Sequence, residues 1–309
     1  MEATGIILLC FLFVGGSIGL FLNGGLLFVN LANRNFHNPE YCLFIYCLAF
    51  SNVIYTIEEL TIHPWLILTG AASDSFACKT GGFLFMAGGM SSVFCQTFLS
   101  LNRFLLLRYE AINDIAFSRN MSAIYVILIV ITSLAINSAY IFLGDLGLYD
   151  GLCLVDIRRT PLWHPLVVSM IPVLACYGLE IYCAWRVSWF IHSCAHVTSR
   201  MVKRRIEEGR SIIKLIVLEI SIPIILEMPA TTMMIVCHLT DKLPPSVTAL
   251  CCGLYIAHAT ADPISLVYVI KPYRKQFLKW YKRNFKKASV HGDVTTKNSS
   301  SAYQTRSKL

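Results

Sequence analysis

Charged residues are scarce in this sequence. Only 14% of its 309 residues are Asp, Glu, Lys or Arg, whereas 56% are hydrophobic, and the mean hydropathy is +0.61. A soluble domain carries about 25% charged residues, so this composition excludes an ordinary soluble globular protein. The chain is long enough for seven spans of roughly 20–25 residues with short loops, and too short to add a large second domain.

The sequence also lacks the patterns that point to enzymes and to metal sites. No His, Cys, Asp or Glu residues have the spacing of zinc ligands, and no glycine-rich phosphate loop precedes a helix. Most of the 12 cysteines fall inside apolar runs, where a free thiol behaves as a small hydrophobic side chain. The sequence therefore predicts no enzyme activity, no metal ion and no cofactor.

Long apolar runs are what the sequence does contain. A run that crosses hydrocarbon must bond its own backbone groups, which favours a helix, and the alternation of membrane β-strands is missing. The predicted fold is therefore an all-α membrane protein, a bundle of seven transmembrane helices. The runs cover residues of about 5–32, 41–69, 79–107, 120–143, 163–190, 211–238 and 246–270.

The segment after the seventh run has a different pattern. From Lys271 to Tyr281, leucine and aromatic residues alternate with lysines at helical spacing, which predicts a short amphipathic helix on the inner leaflet. From residue 288 the chain is rich in Ser, Thr, Lys and Asn, a composition typical of disorder. We therefore expect a seven-transmembrane domain with its surface helix over 1–287 and a disordered cytoplasmic tail over 288–309.

The net charge of +8 is distributed unevenly along the chain. Basic residues flank the apolar runs instead of covering a polar face, so the lipid bilayer, and not nucleic acid, is the expected partner. With the N-terminus outside, nearly all Lys and Arg residues lie inside. The positive-inside rule then predicts a multi-pass plasma-membrane protein with an extracellular N-terminus and a cytoplasmic C-terminus.

The third run carries a cysteine near its start and an arginine near its end. Cys78 and Arg103 are 25 residues apart, which at about 1.5 Å per residue is roughly 37 Å of helix. Cys78 is therefore expected at the outer edge and Arg103 at the inner edge. The second outer loop contains Cys153, and because the outer face is oxidising, a Cys78–Cys153 disulfide is predicted. The alternative is two unrelated thiols.

These residues belong to a set that resembles the rhodopsin-like G-protein-coupled receptor family over nearly the whole chain. The resemblance lies in the order and spacing of motifs that are each weak alone. They are Asn23 in the first span, Leu48-Ala49-Phe50-Ser51-Asn52 in the second, Cys78 with Cys153, Asn102-Arg103-Phe104 in the third, Pro172 in the fifth, Asp262-Pro263 in the seventh, and Tyr273-Arg274-Lys275-Gln276-Phe277 after it.

The chain also departs from the family pattern. Asn102 and Phe104 replace the usual Asp and Tyr around the third-span arginine. Leu226-Glu227-Met228-Pro229 stands where the family has Cys-Trp-x-Pro, and Pro223 is an alternative anchor for that alignment. Such departures, with short loops, resemble the nematode serpentine chemoreceptors.

The resemblance implies a switch at the inner edge of the bundle. In this interpretation Glu207 or Glu208 holds Arg103 at rest, and Glu180 offers Arg103 a second partner in the active state. Asn102 belongs to the same motif. Outward rotation of the sixth span would then open a cavity for a heterotrimeric G protein. The plain alternative for Arg103 is an arginine whose side chain only reaches the lipid head groups.

Polar residues in mid-membrane form a second candidate site. Asn52 and Asp262 resemble an exchanged pair, because the family usually has Asp in the second helix and Asn in the seventh. Together with Asn23 they are expected to form a polar core, since ionisable groups at this depth are costly and usually functional. Two interpretations stay open: a hydrated cluster that admits a sodium ion, and a protonated Asp262 that only bonds Asn52.

The outer halves of several spans hold the candidate ligand pocket. A mostly apolar cavity with a few polar groups suits a small ligand, although each of these side chains is as well suited to an interhelical hydrogen bond. Because Glu58 and Glu59 are adjacent, we do not expect both to face the interior equally. The candidate pocket residues are Glu58, Glu59, His63, Phe85, Met86, Glu227 and His258.

The family positions of two apolar residues narrow the ligand class. Phe85 stands where amine receptors carry Asp, and Ile256 stands where opsins carry the retinal-binding Lys. The resemblance therefore implies neither an aminergic receptor nor a photoreceptor.

The predicted function is a chemosensory receptor that binds a small extracellular ligand and activates a heterotrimeric G protein. One alternative is a neuropeptide receptor. Another is a seven-helix transporter or channel, which mid-membrane acids would support. The sequence shows no internal repeat of the kind that many transporters have.

Overall fold

The computed structural model describes most of the predicted spans and part of the loops. The described residues are 3–32, 39–70, 75–144, 146–149, 152–155, 160–161, 163–193, 210, 213–214, 216–226, 228–229, 232–233, 236, 245–269 and 274–282.

Helices lie where the apolar runs predicted them, and their ends agree to within a few residues in the first five spans and the seventh. Within the described part of the chain, the first five spans combine the length and hydropathy needed to cross a membrane. The all-α transmembrane bundle is therefore confirmed. In order, the spans are Ala3–Ala32, Pro39–Thr69, Phe76–Arg108, Arg119–Leu143, Trp163–Ser193, Ile216–Leu226 and Pro245–Val269.

The third span lies at the centre of the bundle. Ser75 caps its start by accepting a hydrogen bond of 3.2 Å from the backbone N–H of Cys78. Buried residues follow along its whole length, whereas much of the first and fourth spans is exposed. Small residues such as Gly88 and Ser92 are among the buried ones, which allows neighbouring helices to approach closely.

The fifth span opens with an irregular turn. Residues Leu166–Met170 form a π-helical turn, and Ile171–Ser193 continues as a regular helix. Pro172 lacks the N–H group that would donate to the carbonyl one turn earlier. A π-turn is one way for a helix to accommodate such a gap, so we attribute the turn to this proline.

Two elements outside the spans were not predicted. A short helix, Glu110–Ala116, follows the third span. Strands β1, Leu146–Tyr149, and β2, Leu152–Val155, form an antiparallel hairpin that pairs Leu148 with Cys153. We call the end of the bundle with Cys78 and Cys153 the disulfide end, and the opposite end, with Arg103 and the short helix, the Arg103 end.

The predicted surface helix is present over 274–282. Phe277 is buried in the hydrophobic cluster that includes Leu26 and Phe44. A Cβ at Gly25 would lie 2.9 Å from the Phe277 ring and 3.2 Å from the Trp280 ring, so the glycine lets this helix pack against the first span. The predicted tail, 288–309, lies outside the described residues.

Candidate functional site

A disulfide joins the third span to the hairpin. Cys78 and Cys153 are bonded, their Cα atoms are 5.2 Å apart, and both are buried. The predicted bond is therefore present. One turn further along the helix, a Cβ at Gly82 would lie 2.7 Å from the carbonyl oxygen of Cys153. Only glycine lets the hairpin rest this closely on the third span.

A chain of polar contacts connects the second span to the same hairpin. The Glu58 Oε2 atom lies 2.7 Å from His63 Nδ1. The backbone N–H of Cys153 donates a hydrogen bond of 3.1 Å to His63 Nε2. Because Nε2 accepts, the imidazole proton is on Nδ1, where it faces the carboxylate. We call Glu58, His63 and the Cys153 amide the hairpin relay.

Both glutamates of the second span are buried to the same extent, contrary to the expectation that they would not both face the interior equally. Glu58 is 1% exposed and Glu59 is 0% exposed. A Cβ at Gly81 of the third span would lie 2.7 Å from Glu58, and a Cβ at Gly16 of the first span would lie 3.6 Å from the Cβ of Glu59. Adjacent helical residues point about 100° apart, and here each direction meets a neighbouring span.

Aromatic rings lie directly beside the relay. Phe85 stacks on Tyr55 with ring centroids 4.4 Å apart and meets the His63 ring edge-on at 5.8 Å. Met86, partly buried, packs against the same hydrophobic cluster. The structure thus brings Glu58, His63, Phe85 and Met86 together, whereas Glu59 packs against the first span. Glu227 lies outside the described residues.

The polar core centres on Asp262. Its Oδ2 atom accepts hydrogen bonds of 3.2 Å from the Asn52 amide and 3.2 Å from the Ser92 hydroxyl. Its Oδ1 atom lies 3.3 Å from Nε2 of His258, one turn earlier in the seventh span. The second, third and seventh spans therefore meet at one carboxylate. His258, a predicted pocket residue, contacts this core.

Asn23 joins the first span to the seventh beside this core. Its amide donates hydrogen bonds of 2.9 Å to the carbonyl of Gly19 and 2.9 Å to that of Ala259. Its amide thus bonds backbone carbonyls of both spans, and so holds the two helices at a fixed distance.

The side chains around Asp262 bear on whether a sodium ion fits there. A hard cation needs several oxygen ligands. Asn52 and His258 instead direct nitrogen atoms at the carboxylate, and Ser92 donates its hydroxyl proton to it. Asn52 and Ser92 thus bond one carboxylate oxygen, and the His258 imidazole lies beside the other, where a cation would have to approach. The sodium site and the protonated Asp262 both stay predictions.

Two further acids lie between the polar core and Arg103. Glu180 is buried and accepts a hydrogen bond of 2.8 Å from the Thr97 hydroxyl of the third span. Glu219 of the sixth span is also buried, and it lies within electrostatic reach of Glu180, Asp262 and Arg103.

Glu219 was not among the predicted switch residues. The sequence contains a signal for it, because Glu219 lies in an apolar run and shares one helical face with Ile216 and Ile220. All three are buried in the structure. An acid on the buried face of an apolar run is a candidate functional residue.

At the Arg103 end, Asn102 contacts the short helix. Its amide donates a hydrogen bond of 3.0 Å to the side-chain oxygen of Asn113, and both residues are buried. The pair fixes the short helix to the end of the third span. Glu207 and Glu208 lie outside the described residues, so the resting ion pair of Arg103 stays a prediction.

The comparisons with known proteins agree with this architecture. The family described as 7 transmembrane receptor (rhodopsin family) matches residues 22–266. The crystal structure of squid rhodopsin superposes with a TM-score of 0.76 and 17% sequence identity, over 92% of this chain and 82% of that one. No curated protein sequence matches significantly. Because the family match spans well over half of the chain, this protein belongs to the rhodopsin-like family of seven-transmembrane G-protein-coupled receptors.

Proposed function

We propose that this receptor is chemosensory, that it binds a small extracellular ligand at the disulfide end, and that it activates a heterotrimeric G protein from the Arg103 end. The observation that carries the proposal is a series of buried polar groups along the bundle. It runs from the hairpin relay through Asp262 to Glu180 and Glu219, which lies within electrostatic reach of Arg103.

The orientation in the membrane supports this assignment of ends. A disulfide forms and persists in an oxidising compartment, which favours an extracellular position for Cys78 and Cys153. The positive-inside distribution of Lys and Arg favours a cytoplasmic position for the opposite end. We therefore propose an extracellular N-terminus and a cytoplasmic C-terminus.

The hairpin supports a small ligand over a neuropeptide. Leu146 and Cys153 are buried, so the hairpin packs onto the bundle instead of standing away from it. The hairpin relay also bonds the hairpin to the second span, through Glu58 and His63. A hairpin packed onto the bundle leaves less room for an extended peptide than for a small molecule, whose binding sites are concave and largely pre-formed.

Activation follows from a difference in affinity between two states. A ligand that binds the open bundle better shifts the population toward it. Glu180 is tied to the third span through Thr97, whereas Glu219 moves with the sixth span. Outward motion of that span would separate Glu219 from Arg103 and leave Glu180 as the nearby carboxylate. This is the active-state role that we propose for Glu180.

The same acids favour one competing function. Glu180, Glu219 and Asp262 come from three spans and interact electrostatically, and buried acids of this kind serve as proton sites in pumps and transporters. A transporter would carry ions with no G protein present, which separates the two functions experimentally.

The test is G-protein activation in cells with confirmed surface expression, against a panel of small metabolites and odorants. Arg103→Ala is compared at equal surface level with Arg119→Ala, which removes an exposed arginine at the same end. Loss of the ligand response in the Arg103 variant alone supports the proposal. Retention in both variants contradicts the switch role of Arg103. Ion currents without G-protein activation favour the transporter.

A further inference from the structure

Two arginines from different spans converge on one tyrosine at the Arg103 end. Arg108 is the last residue of the third span, and Arg186 lies in the fifth. The Cζ atom of Arg108 lies 5.9 Å from the centre of the Tyr109 ring, and both guanidinium groups act electrostatically on the Tyr109 hydroxyl. The two guanidinium groups, that of Arg108 first, lower the pKa of the Tyr109 hydroxyl from its ordinary value. The three side chains thus form a single cluster.

Aromatic rings hold both arginines in place. The Cζ atom of Arg108 lies 5.3 Å from the centre of the Trp189 ring and 5.4 Å from that of Phe190. The Cζ atom of Arg186 lies 5.5 Å from the same Trp189 ring and 5.9 Å from the Trp185 ring. A guanidinium over an aromatic face is attracted by the ring, so Trp189 holds two cations at once.

The cluster carries positive charge that the described residues do not balance. Among them, no carboxylate forms an ion pair with Arg108 or Arg186. Two like charges held against one ring repel each other. An anion placed between the two guanidinium forks would remove that repulsion and accept several charge-assisted hydrogen bonds.

The position of the cluster identifies the source of that anion. Trp185 is 61% exposed and Trp189 is 49% exposed on the outside of the bundle. Tyr109 follows directly on the membrane-spanning helix. Trp and Tyr residues concentrate at the level of the lipid head groups, and the cytoplasmic leaflet is the one that carries anionic lipid. A lipid head group therefore fits better than an ion from solution.

We propose that Arg108, Arg186 and Tyr109 bind the phosphate of an anionic phospholipid from the cytoplasmic leaflet. Trp185 and Trp189 contact its glycerol and acyl chains. The assignment to the cytoplasmic leaflet rests on the proposed orientation of the receptor. A planar guanidinium fork matches phosphate geometry in a way that an ammonium group does not. Lysine is therefore not expected to replace arginine at this site.

The test uses the purified receptor in nanodiscs of phosphatidylcholine with a trace of labelled phosphatidylinositol bisphosphate, and energy transfer from tryptophan to the label as the readout. Arg108→Gln/Arg186→Gln is compared with Lys275→Gln/Lys279→Gln, which removes two exposed charges from the surface helix. We expect about a tenfold loss of lipid affinity in the arginine variant and a smaller loss, of about threefold, in the lysine variant, whose charges attract anionic lipid only diffusely.

Two further arms keep the proposal open to contradiction. Arg108→Lys/Arg186→Lys keeps the charge and removes the forks, so it should bind the lipid several-fold more weakly than the native receptor. Full binding in that variant, or equal losses in both glutamine variants, would mean diffuse attraction and overturn the proposal. Equal competition by the soluble inositol phosphate head group would indicate an ion site and also overturn it.

This result is independent of the signalling assay. Both leaflets of a nanodisc carry the labelled lipid, and neither a ligand nor a G protein is needed for the measurement. Loss of lipid binding with intact signalling, or the reverse, therefore separates a failure of this proposal from a failure of the proposed function.

Discussion

The two ends of the bundle are held together by interactions of different strength. At the disulfide end, a covalent bond and the hairpin relay fix the hairpin to the second and third spans. At the Arg103 end, a neutral amide pair, Asn102 with Asn113, holds the short helix. A disulfide contributes about 2–5 kcal/mol, whereas a neutral hydrogen bond contributes about 1 kcal/mol. We therefore expect the short helix to detach from the third span more easily than the hairpin does.

Among the changes that test this comparison, removing the disulfide should lower the free energy of unfolding most. Cys153→Ser is expected to lower the free energy of unfolding by about 2–5 kcal/mol, because the unfolded chain regains the freedom of a long loop. Thermal unfolding of the purified receptor measures the change. Cys10→Ser, which alters an exposed thiol of the first span, should stay within about 0.5 kcal/mol of the native receptor. Equal unfolding temperatures for the two variants would contradict the stabilising role of the disulfide.

The hairpin relay should give the next largest effect. His63→Phe leaves the Glu58 carboxylate buried without its partner and is expected to cost about 3 kcal/mol. Glu58→Gln keeps the size of the side chain and a group that accepts from the imidazole, and should cost about 1 kcal/mol. The double variant should be more stable than His63→Phe alone. Simple additivity in this cycle would show that the two side chains do not act together.

Two glycines of the third span test the close approach of the hairpin. Gly82→Ala places a Cβ 2.7 Å from the Cys153 carbonyl oxygen and should destabilise the receptor by about 1–3 kcal/mol through overpacking. At Gly89 no atom lies within 4 Å of an added Cβ. Gly89→Ala should therefore stabilise the helix by about 0.5–1 kcal/mol. The same sign for both changes in thermal unfolding would contradict a hairpin resting on Gly82.

At the Arg103 end the expected effect is smaller. Asn102→Ala and Asn113→Ala each leave a buried amide without its partner and should cost about 1 kcal/mol. The double variant should cost less than the sum, because one hydrogen bond is lost in all three proteins. Basal G-protein activation should rise, since the short helix is released. Unchanged basal activity at equal surface level would show that this pair does not restrain the active state.

The sequence predicted the spans and the disulfide because both depend on large, additive effects. Twenty apolar residues have few alternatives to a membrane helix, and Cys153 was the cysteine available in the loop that faces Cys78. The partner of Asn102 could not be predicted, since it depends on the short helix that places Asn113. The burial of both Glu58 and Glu59 could not be predicted either. It depends on how the first and third spans approach the second span from two sides, which the sequence of the second span does not show.

The smallest effect is expected for sodium binding at the polar core, between the two ends of the bundle. Asn52 and Ser92 bond one oxygen of Asp262, and His258 lies beside the other. We therefore expect that replacing choline chloride by sodium chloride at equal ionic strength leaves the unfolding temperature unchanged. The exchange Asn52→Asp/Asp262→Asn moves the carboxylate from the seventh span to the second span and so away from the His258 imidazole. That variant should gain about 1 kcal/mol when the sodium concentration is about five times its dissociation constant. A sodium-specific shift in the native receptor would mean that a cation, and not the imidazole, balances this carboxylate.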